Sequence, residues 1–303
     1  MMMRQISTQP EERMTQLLRR IMLGFPVLCT LLVSIGCTSL GGQSTATDPL
    51  APLFAQGQKQ FYAGDLDRAV VSFSDAIALA PDRADAWNAR GFAKSRQNKT
   101  SDAVHDFQAA AQRDPQNSLY HNNLGVAYLE LERPGDALLE LNDAVRLSPE
   151  NPLPLIHRAL ANRRLKQLPE AVADLDAAIA LDGSNAIAYA NRAVAYAMQR
   201  DFSAAKQDLD RAIAINGSIF QIYESRALIQ LLAGDYALAV KDFSRAVALG
   251  ANDTVTYYNR AVAFSMIGDG TRAQKDFETS CLRGYTAACP FSRVSSQPAT
   301  PTL

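Results

Sequence analysis

The chain has 303 residues, 48% of them hydrophobic, and its 30 Lys and Arg against 31 Asp and Glu leave a formal charge of −1. That balance supplies no electrostatic footprint for a nucleic-acid partner. Four cysteines without a Cys-x-x-Cys pair, and three scattered histidines (His105, His121, His157), predict neither a disulfide framework nor a metal site.

At the N-terminus, Arg13, Arg19 and Arg20 precede an uncharged run from Ile21 to Gly36. Sixteen residues are short for a membrane span, which needs about 20, and suit the apolar core of a secretory signal. Ser34 and Gly36 stand where a signal peptidase reads, and Cys37 follows at once. The text VSIGC resembles the bacterial lipobox, with Ser34 in the place usually held by Leu. The resemblance implies that residues 1–36 are a lipoprotein-type signal peptide and that Cys37 becomes an acylated N-terminus. Thr38 in place of Asp then implies the outer membrane, facing the periplasm. A plain signal peptide or an uncleaved anchor stays open. Residues 37–49, rich in Gly, Ser and Thr, read as a flexible tether, after which Asp48 and Pro49 supply a helix N-cap and first-turn proline.

From Leu50 onward one spacing dominates. Pro81, Pro115 and Pro149 lie 34 residues apart (115 − 81 = 149 − 115 = 34). In a 34-residue frame, place eight holds Gly57, Gly91, Gly125, Ala159, Ala193, Ala227 and Ala261. Place twenty holds Ala69, Ala103, Ala137, Ala171, Ala205, Ala239 and Ala273, and place twenty-four holds Phe73, Phe107, Leu141, Leu175, Leu209, Phe243 and Phe277. With Trp87, Gly91, Ala103, Phe107, Ala110 and Pro115 in one frame, the pattern resembles the tetratricopeptide repeat. The resemblance implies an all-α fold, an α-α superhelix (right-handed solenoid) of about seven helical hairpins over 50–83, 84–117, 118–151, 152–185, 186–219, 220–253 and 254–284. Each hairpin has a first helix over about fourteen places and a second from about the seventeenth, and neighbours stack because one pair cannot bury its apolar face alone. The small residue at place eight is expected to face the alanine at place twenty. Gly64, Gly234 and Gly268 mark turns between the two helices of a pair, and Pro134 and Pro169 suit the opening of second helices.

One correlation goes beyond that template. Arg90, Arg158, Arg192, Arg226 and Arg260 at place seven accompany Asp106, Asp174, Asp208, Asp242 and Asp276 at place twenty-three, whereas Gln56 goes with Ser72 and Leu124 with Glu140. Structural ion pairs across the helix packing are predicted; the alternative is a row of positive charges for an anionic ligand.

By family analogy the inner surface is lined by places two, five, nine, twelve and thirteen of the first helices. That implies a partner-binding groove of Asn88, Phe92, Asn122, Val126, Leu160, Arg163, Arg164, Val194, Met198, Leu228, Tyr258 and Val262, a mixed apolar and amide lining suited to an extended or helical peptide. The alternative is that place nine belongs to the stacking core. Asn123, Asn191 and Asn259 at place six resemble asparagines that the O-GlcNAc transferase repeats present to a bound main chain, but are expected here to be solvated surface. The carboxylate clamp of chaperone-binding repeats needs Lys and Asn at places five and nine, where this chain has Phe54, Gln58, Asn88 and Phe92.

At the C-terminus Cys281 and Cys289 stand eight apart. Some exported helical-repeat families join cysteines at that spacing, which implies a possible disulfide over the last pair; two buried thiols are the alternative. Residues 285–303 are expected to form a cap and a disordered tail. The sequence lacks a phosphate-binding glycine loop, a nucleophile elbow and paired carboxylates at helical spacing, so no enzyme activity, catalytic residue or cofactor is predicted. The chain is similar to bacterial repeat lipoproteins that act as adaptors for cell-wall hydrolases and proteases or as pilus assembly factors. That implies a scaffold binding envelope proteins or peptides, tethered by a lipid anchor at Cys37. The rival expectation is a soluble or signal-anchored module that regulates a cytoplasmic partner.

Overall fold

The computed structural model describes residues 51–292, all of them helix, turn or loop with no strand. The signal, Cys37, the tether and the tail beyond Ser292 lie outside the described residues. Those described form two compact units, 51–183 and 184–292.

The first unit holds four helix pairs: α1 Ala51–Tyr62 with α2 Leu66–Leu79, α3 Ala84–Arg96 with α4 Thr100–Arg113, α5 Ser118–Glu130 with α6 Pro134–Leu147, and α7 Pro152–Arg164 with α8 Leu168–Leu181. The second holds three: α9 Ala186–Met198 with α10 Phe202–Ile215, α11 Phe220–Ala233 with α12 Tyr236–Ala248, and α13 Thr254–Met266 with α14 Gly270–Leu282, closed by a 3-10 turn Thr286–Phe291. Within each unit every helix packs on the next in sequence, and successive first helices also touch.

Short side chains fix the helix starts. Asn117, Asn151, Asn185 and Asp253 each accept backbone N–H groups in the opening turn of a first helix, and Asp65, Asp201 and Asp269 do so for second helices. Proline stands in the opening turn of both α6 and α8.

The contact that sets the spacing inside a pair differs from the expectation. A Cβ built on Gly57 would fall 2.6 Å from the Phe73 ring, on Gly91 2.8 Å from Phe107, and on Gly125 2.6 Å from Leu141. The place-eight glycine therefore faces the large residue at place twenty-four. At Gly125 the backbone of the place-twenty alanine also comes near, with Ala137 O 3.3 Å from that Cβ position. In an antiparallel pair the place-twenty-four side chain lies one turn beyond that alanine and, in these three pairs, leans over the glycine and occupies the volume a methyl group would need.

The turn within each pair is also more uniform than its glycines suggest. Place fifteen is left-handed in all seven: Gly64, Gly234 and Gly268 have φ of 80°, 88° and 82°, while Asn98, Glu132, Lys166 and Arg200 take φ of 60°, 54°, 63° and 66°. An L side chain in this region costs roughly 1–2 kcal/mol, least for Asn. Lys166→Gly is expected to stabilise the protein by about 0.5–1 kcal/mol after the entropy of the unfolded glycine is subtracted. Chemical denaturation of wild type and variant checks this, and a lower midpoint for the variant would contradict the turn assignment.

Candidate functional site

Polar chemistry sits in two places: at the arginine joints, and on the face where first helices stack. At each arginine joint a guanidinium from place seven grips the place-twenty-three carboxylate of its own pair with two bonds. Arg90 reaches Asp106 at 2.9 and 2.7 Å, Arg192 reaches Asp208 at 2.8 and 2.7 Å, Arg226 reaches Asp242 at 2.7 and 2.8 Å, and Arg260 reaches Asp276 at 2.6 and 2.9 Å. Arg158 holds Asp174 likewise, its closest approach 2.6 Å. All five aspartates are buried. The remaining nitrogen, Nη1, also reaches back sixteen residues to the preceding pair: Arg90 donates to Ser74, Arg158 to Asn142 and Arg226 to Asp210, at 3.1, 3.1 and 2.5 Å. One side chain thus ties two helices of a pair and that pair to its predecessor. The aspartates neutralise the arginines, so this row is not an open anion-binding surface.

Place four contributes a second contact to the same cation, with Trp87, Tyr189, Tyr223 and Tyr257 rings 4.8 to 5.8 Å from the guanidinium three residues on. The pair without arginine is built differently. Leu124 is buried, and Glu140 instead meets His121 of place four, Nδ1 to Oε2 2.8 Å. In the first pair Ser72 donates to Gln60 at 2.8 Å.

The stacking face buries much of the groove lining predicted from the sequence. Asn88, Phe92, Asn122, Val126, Leu160, Arg163 and Val194 are all 9% exposed or less. The cause is side-by-side contact of successive first helices, which turns place nine into stacking core. Arg164, Met198, Leu228, Tyr258 and Val262 remain half-buried, Leu228 and Val262 against one core cluster and Tyr258 with Val262 against the next. Asn123 and Asn259, expected as solvated surface, are buried as well. Asn191 is half-buried and donates to Ile187 O at 3.0 Å.

These buried amides pair across the stack at an offset of 35 residues: Asn123 Nδ2 donates to Asn88 Oδ1 at 2.8 Å, and His157 Nδ1 meets Asn122 Oδ1 at 2.7 Å. Burial pushes the His157 imidazole down to about 4, so it is a neutral ring donating from Nδ1. Arg163 is less well provided. Its Nη1 is buried with no hydrogen-bond partner among the described residues, and burial, helped by the adjacent Arg164, lowers it to about 10. Arg164 itself donates from Nη1 to Leu129 O at 2.5 Å and lies 3.0 Å from Glu132.

Between α11 and α13 the stacking face is acidic. Glu224 meets the hydroxyl of Thr256, whose oxygen is also 2.5 Å from Asp253 Oδ2. Burial pushes the Glu224 carboxyl up to about 7, the Thr256 hydroxyl opposing the rise and Asp253 adding to it. Sequence reasoning passed over Glu224, because its one signal is a lone acid at place five among Asn88, Asn122, Ile156 and Tyr258.

Cys281 and Cys289 are joined, with an S–S distance of 2.05 Å. The bond anchors the 3-10 turn over a cluster of Ala261, Phe264, Ala273, Phe277 and Ala288, with Tyr285 and Phe291 at its edge. No group of three or more metal-ligating His, Cys, Asp or Glu occurs among the described residues, and no helix there is long and apolar enough to cross a membrane.

A family model described as tetratricopeptide repeat matches residues 54–93, 93–152, 157–218 and 199–254, together more than half of the chain. No curated protein matches. Among solved structures, a tetratricopeptide repeat protein from Parabacteroides merdae is 21% identical, with a TM-score of 0.67 over 80% of this chain and 96% of its own. PilW, described as a type IV pilus biogenesis factor, is 19% identical with a TM-score of 0.59 over 64% of this chain and 90% of its own. PilF of Pseudomonas aeruginosa is 16% identical with a TM-score of 0.56 over 65% and 90%. At these identities the likeness is one of fold.

Two outcomes follow from the buried charges. Arg226→Met leaves the Asp242 carboxylate buried without its partner and is expected to cost about 3–5 kcal/mol, most of it recovered in Arg226→Met with Asp242→Leu. A double-mutant cycle by thermal melting reads this; equal losses in the single and double variants would refute it. For Glu224, whose folded value lies above the unfolded one, the stability it contributes is fully present below about pH 4.5 and lost as pH rises through about 7. In chelator-containing buffer, Glu224→Gln should remove roughly 2–3 kcal/mol of that decline between pH 4.5 and 8. Parallel pH profiles for wild type and variant would count against it.

Proposed function

Because the chain belongs to the tetratricopeptide repeat family, we propose that it is a non-enzymatic scaffold of the bacterial cell envelope, held to a membrane through Cys37 and binding other polypeptides along its first-helix face. Within the second unit, Met198, Leu232 and Met266 recur at place thirteen, half-buried or exposed, and Met266 is 42% exposed. This row carries the binding proposal. Methionine is unbranched and polarizable, so such a row adapts to varied apolar side chains. Place nine, being stacking core, contributes rigidity beneath it.

Two features support the envelope. The run Ile21 to Gly36 with its basic prelude and VSIGC end has the order of a lipoprotein signal. The Cys281–Cys289 bond is of a kind kept in oxidising compartments. Multiple acyl chains on Cys37 would give stable anchoring, since one chain binds only marginally, with the outer membrane favoured by Thr38. Partners among adaptor-bound hydrolases, proteases or pilus assembly proteins fit such a location.

Mass spectrometry of the mature protein is expected to find an acylated Cys37 as its first residue, and Cys37→Ala is expected to abolish membrane retention. An intact Met1 would instead favour the cytoplasmic module. For the binding surface, Met198→Asp with Met266→Asp should cut crosslinking to copurifying polypeptides about tenfold, or about 1.4 kcal/mol, at an unchanged melting temperature. Equal crosslinking would remove the methionine row from the proposal.

A further inference from the structure

We propose that Glu224, Asp253, Thr256 and Asn259 form a calcium-binding site that clamps the sixth helix pair to the seventh. The starting observation is a shortage of protons. Thr256, 3% exposed, sets its hydroxyl oxygen within hydrogen-bond reach of both the Glu224 and the Asp253 carboxyl groups. A hydroxyl carries one hydrogen and can donate to one of them. Asp253 is already committed on its other oxygen, which caps α13 by accepting from Val255 N and Thr256 N, each at 2.9 Å.

A buried amide, Asn259, belongs to the same helix. It is 4% exposed, and its Oδ1 is buried with no hydrogen-bond partner among the described residues. It lies one turn on from Thr256 along the same side of α13, and 35 residues after Glu224 (259 − 224 = 35). That offset is the one at which Asn123 meets Asn88 and His157 meets Asn122 elsewhere in the chain. In both of those pairs the place-six residue donates to place five, whereas among the described residues no such bond joins Asn259 to Glu224, which when ionised has no proton to offer the buried Oδ1. Across the Thr256 hydroxyl from Glu224 stands Asp253, a group of the same sign. Oxygens gather at this joint, two carboxyl groups among them, and among the described residues no Lys or Arg ion pair reaches either one; a charge left in that state on the half-buried Glu224 is costly.

The donor set selects the ion. All ligands are oxygen, from two carboxylates, a hydroxyl and a carboxamide, which suits a hard cation and disfavours zinc, whose structural sites use sulfur and nitrogen. Magnesium demands a near-ideal octahedron and gives up water reluctantly, whereas calcium accepts six to eight oxygens in irregular geometry. Asp253 is exposed, so water can complete the shell. Four protein ligands imply modest affinity, with Kd on the order of 10⁻⁴–10⁻³ M. The ion would join α11 to α13 on the stacking face, the task done by amide pairs in the first unit. This site stands apart from the scaffold reading and does not depend on it.

The test uses the full-length chain, purified in detergent and stripped with chelator at pH 7.5. Calorimetry is expected to show one calcium bound with Kd near about 0.5 mM, and 5 mM calcium should raise the melting temperature by roughly 3 °C. The same magnesium concentration should give less than half that shift. Glu224→Gln and Thr256→Val, both close in shape to the native side chains, should lose heat and shift alike. Terbium luminescence sensitised by Tyr257 and Tyr258 on α13, and displaced by calcium, gives a readout on wild type that needs no variant. No calcium heat in wild type, an undiminished shift in Glu224→Gln, or equal effects of magnesium would each overturn the proposal.

Discussion

A pair of antiparallel helices of about thirteen residues each has too little interior to stand alone, and the rest of the structure follows from how neighbours supply what is missing. Helix α5 states the condition plainly: its buried residues run continuously from Asn122 to Leu129, around every face of the helix. A helix enclosed on all sides cannot be amphipathic, and every polar group it carries must be answered by an adjacent helix. Close approach comes first, in three pairs through a glycine at place eight beneath the place-twenty-four side chain. Once the helices are that near, the few polar residues between them decide which arrangement is possible.

The arginine joints answer that requirement economically. A guanidinium presents a planar fork that matches a carboxylate with two bonds and keeps a third nitrogen free in a different direction. In this chain the fork closes a pair and, at Arg90, Arg158 and Arg226, the third nitrogen closes the seam to the pair before it. Lysine could make the first contact but not both, having one nitrogen. Lys94 shows the difference: it reaches Asp106 at 2.7 Å as an addition to Arg90.

Much of this was legible without coordinates. The 34-residue spacing located the helix pairs, and the joint occurrence of Arg at place seven with Asp at place twenty-three pointed to contact, because two variables that change together in a repeat share a cause. The other features left weaker marks. Lys166 and Arg200 carry no sign of a left-handed turn, since neither residue favours it; only the frame imposed by Gly64, Gly234 and Gly268 does. Nor does a sequence distinguish a residue lining a groove from one pressed against the next helix, because both faces of that choice want apolar side chains. Phe92 and Val194 fall on the packed side, Met198 and Met266 toward the open one, and the distinction rests on the angle between neighbouring helices.

The first-helix face is consequently not a uniform surface repeated seven times. In the first unit two of its joints are knitted by neutral groups, Asn88 with Asn123 and Asn122 with His157, whose imidazole stays uncharged through the physiological range. In the second unit the equivalent joint carries carboxyl groups at Glu224 and Asp253. Neutral pairs are indifferent to salt, and to pH until it falls far enough to protonate His157, so those joints should hold their spacing through the physiological range. A carboxyl joint must recruit a proton or a cation, and its spacing then depends on the surroundings. The difference between a neutral joint and a titrating one follows from the choice of side chain at two places in the frame, on a backbone that is otherwise the same.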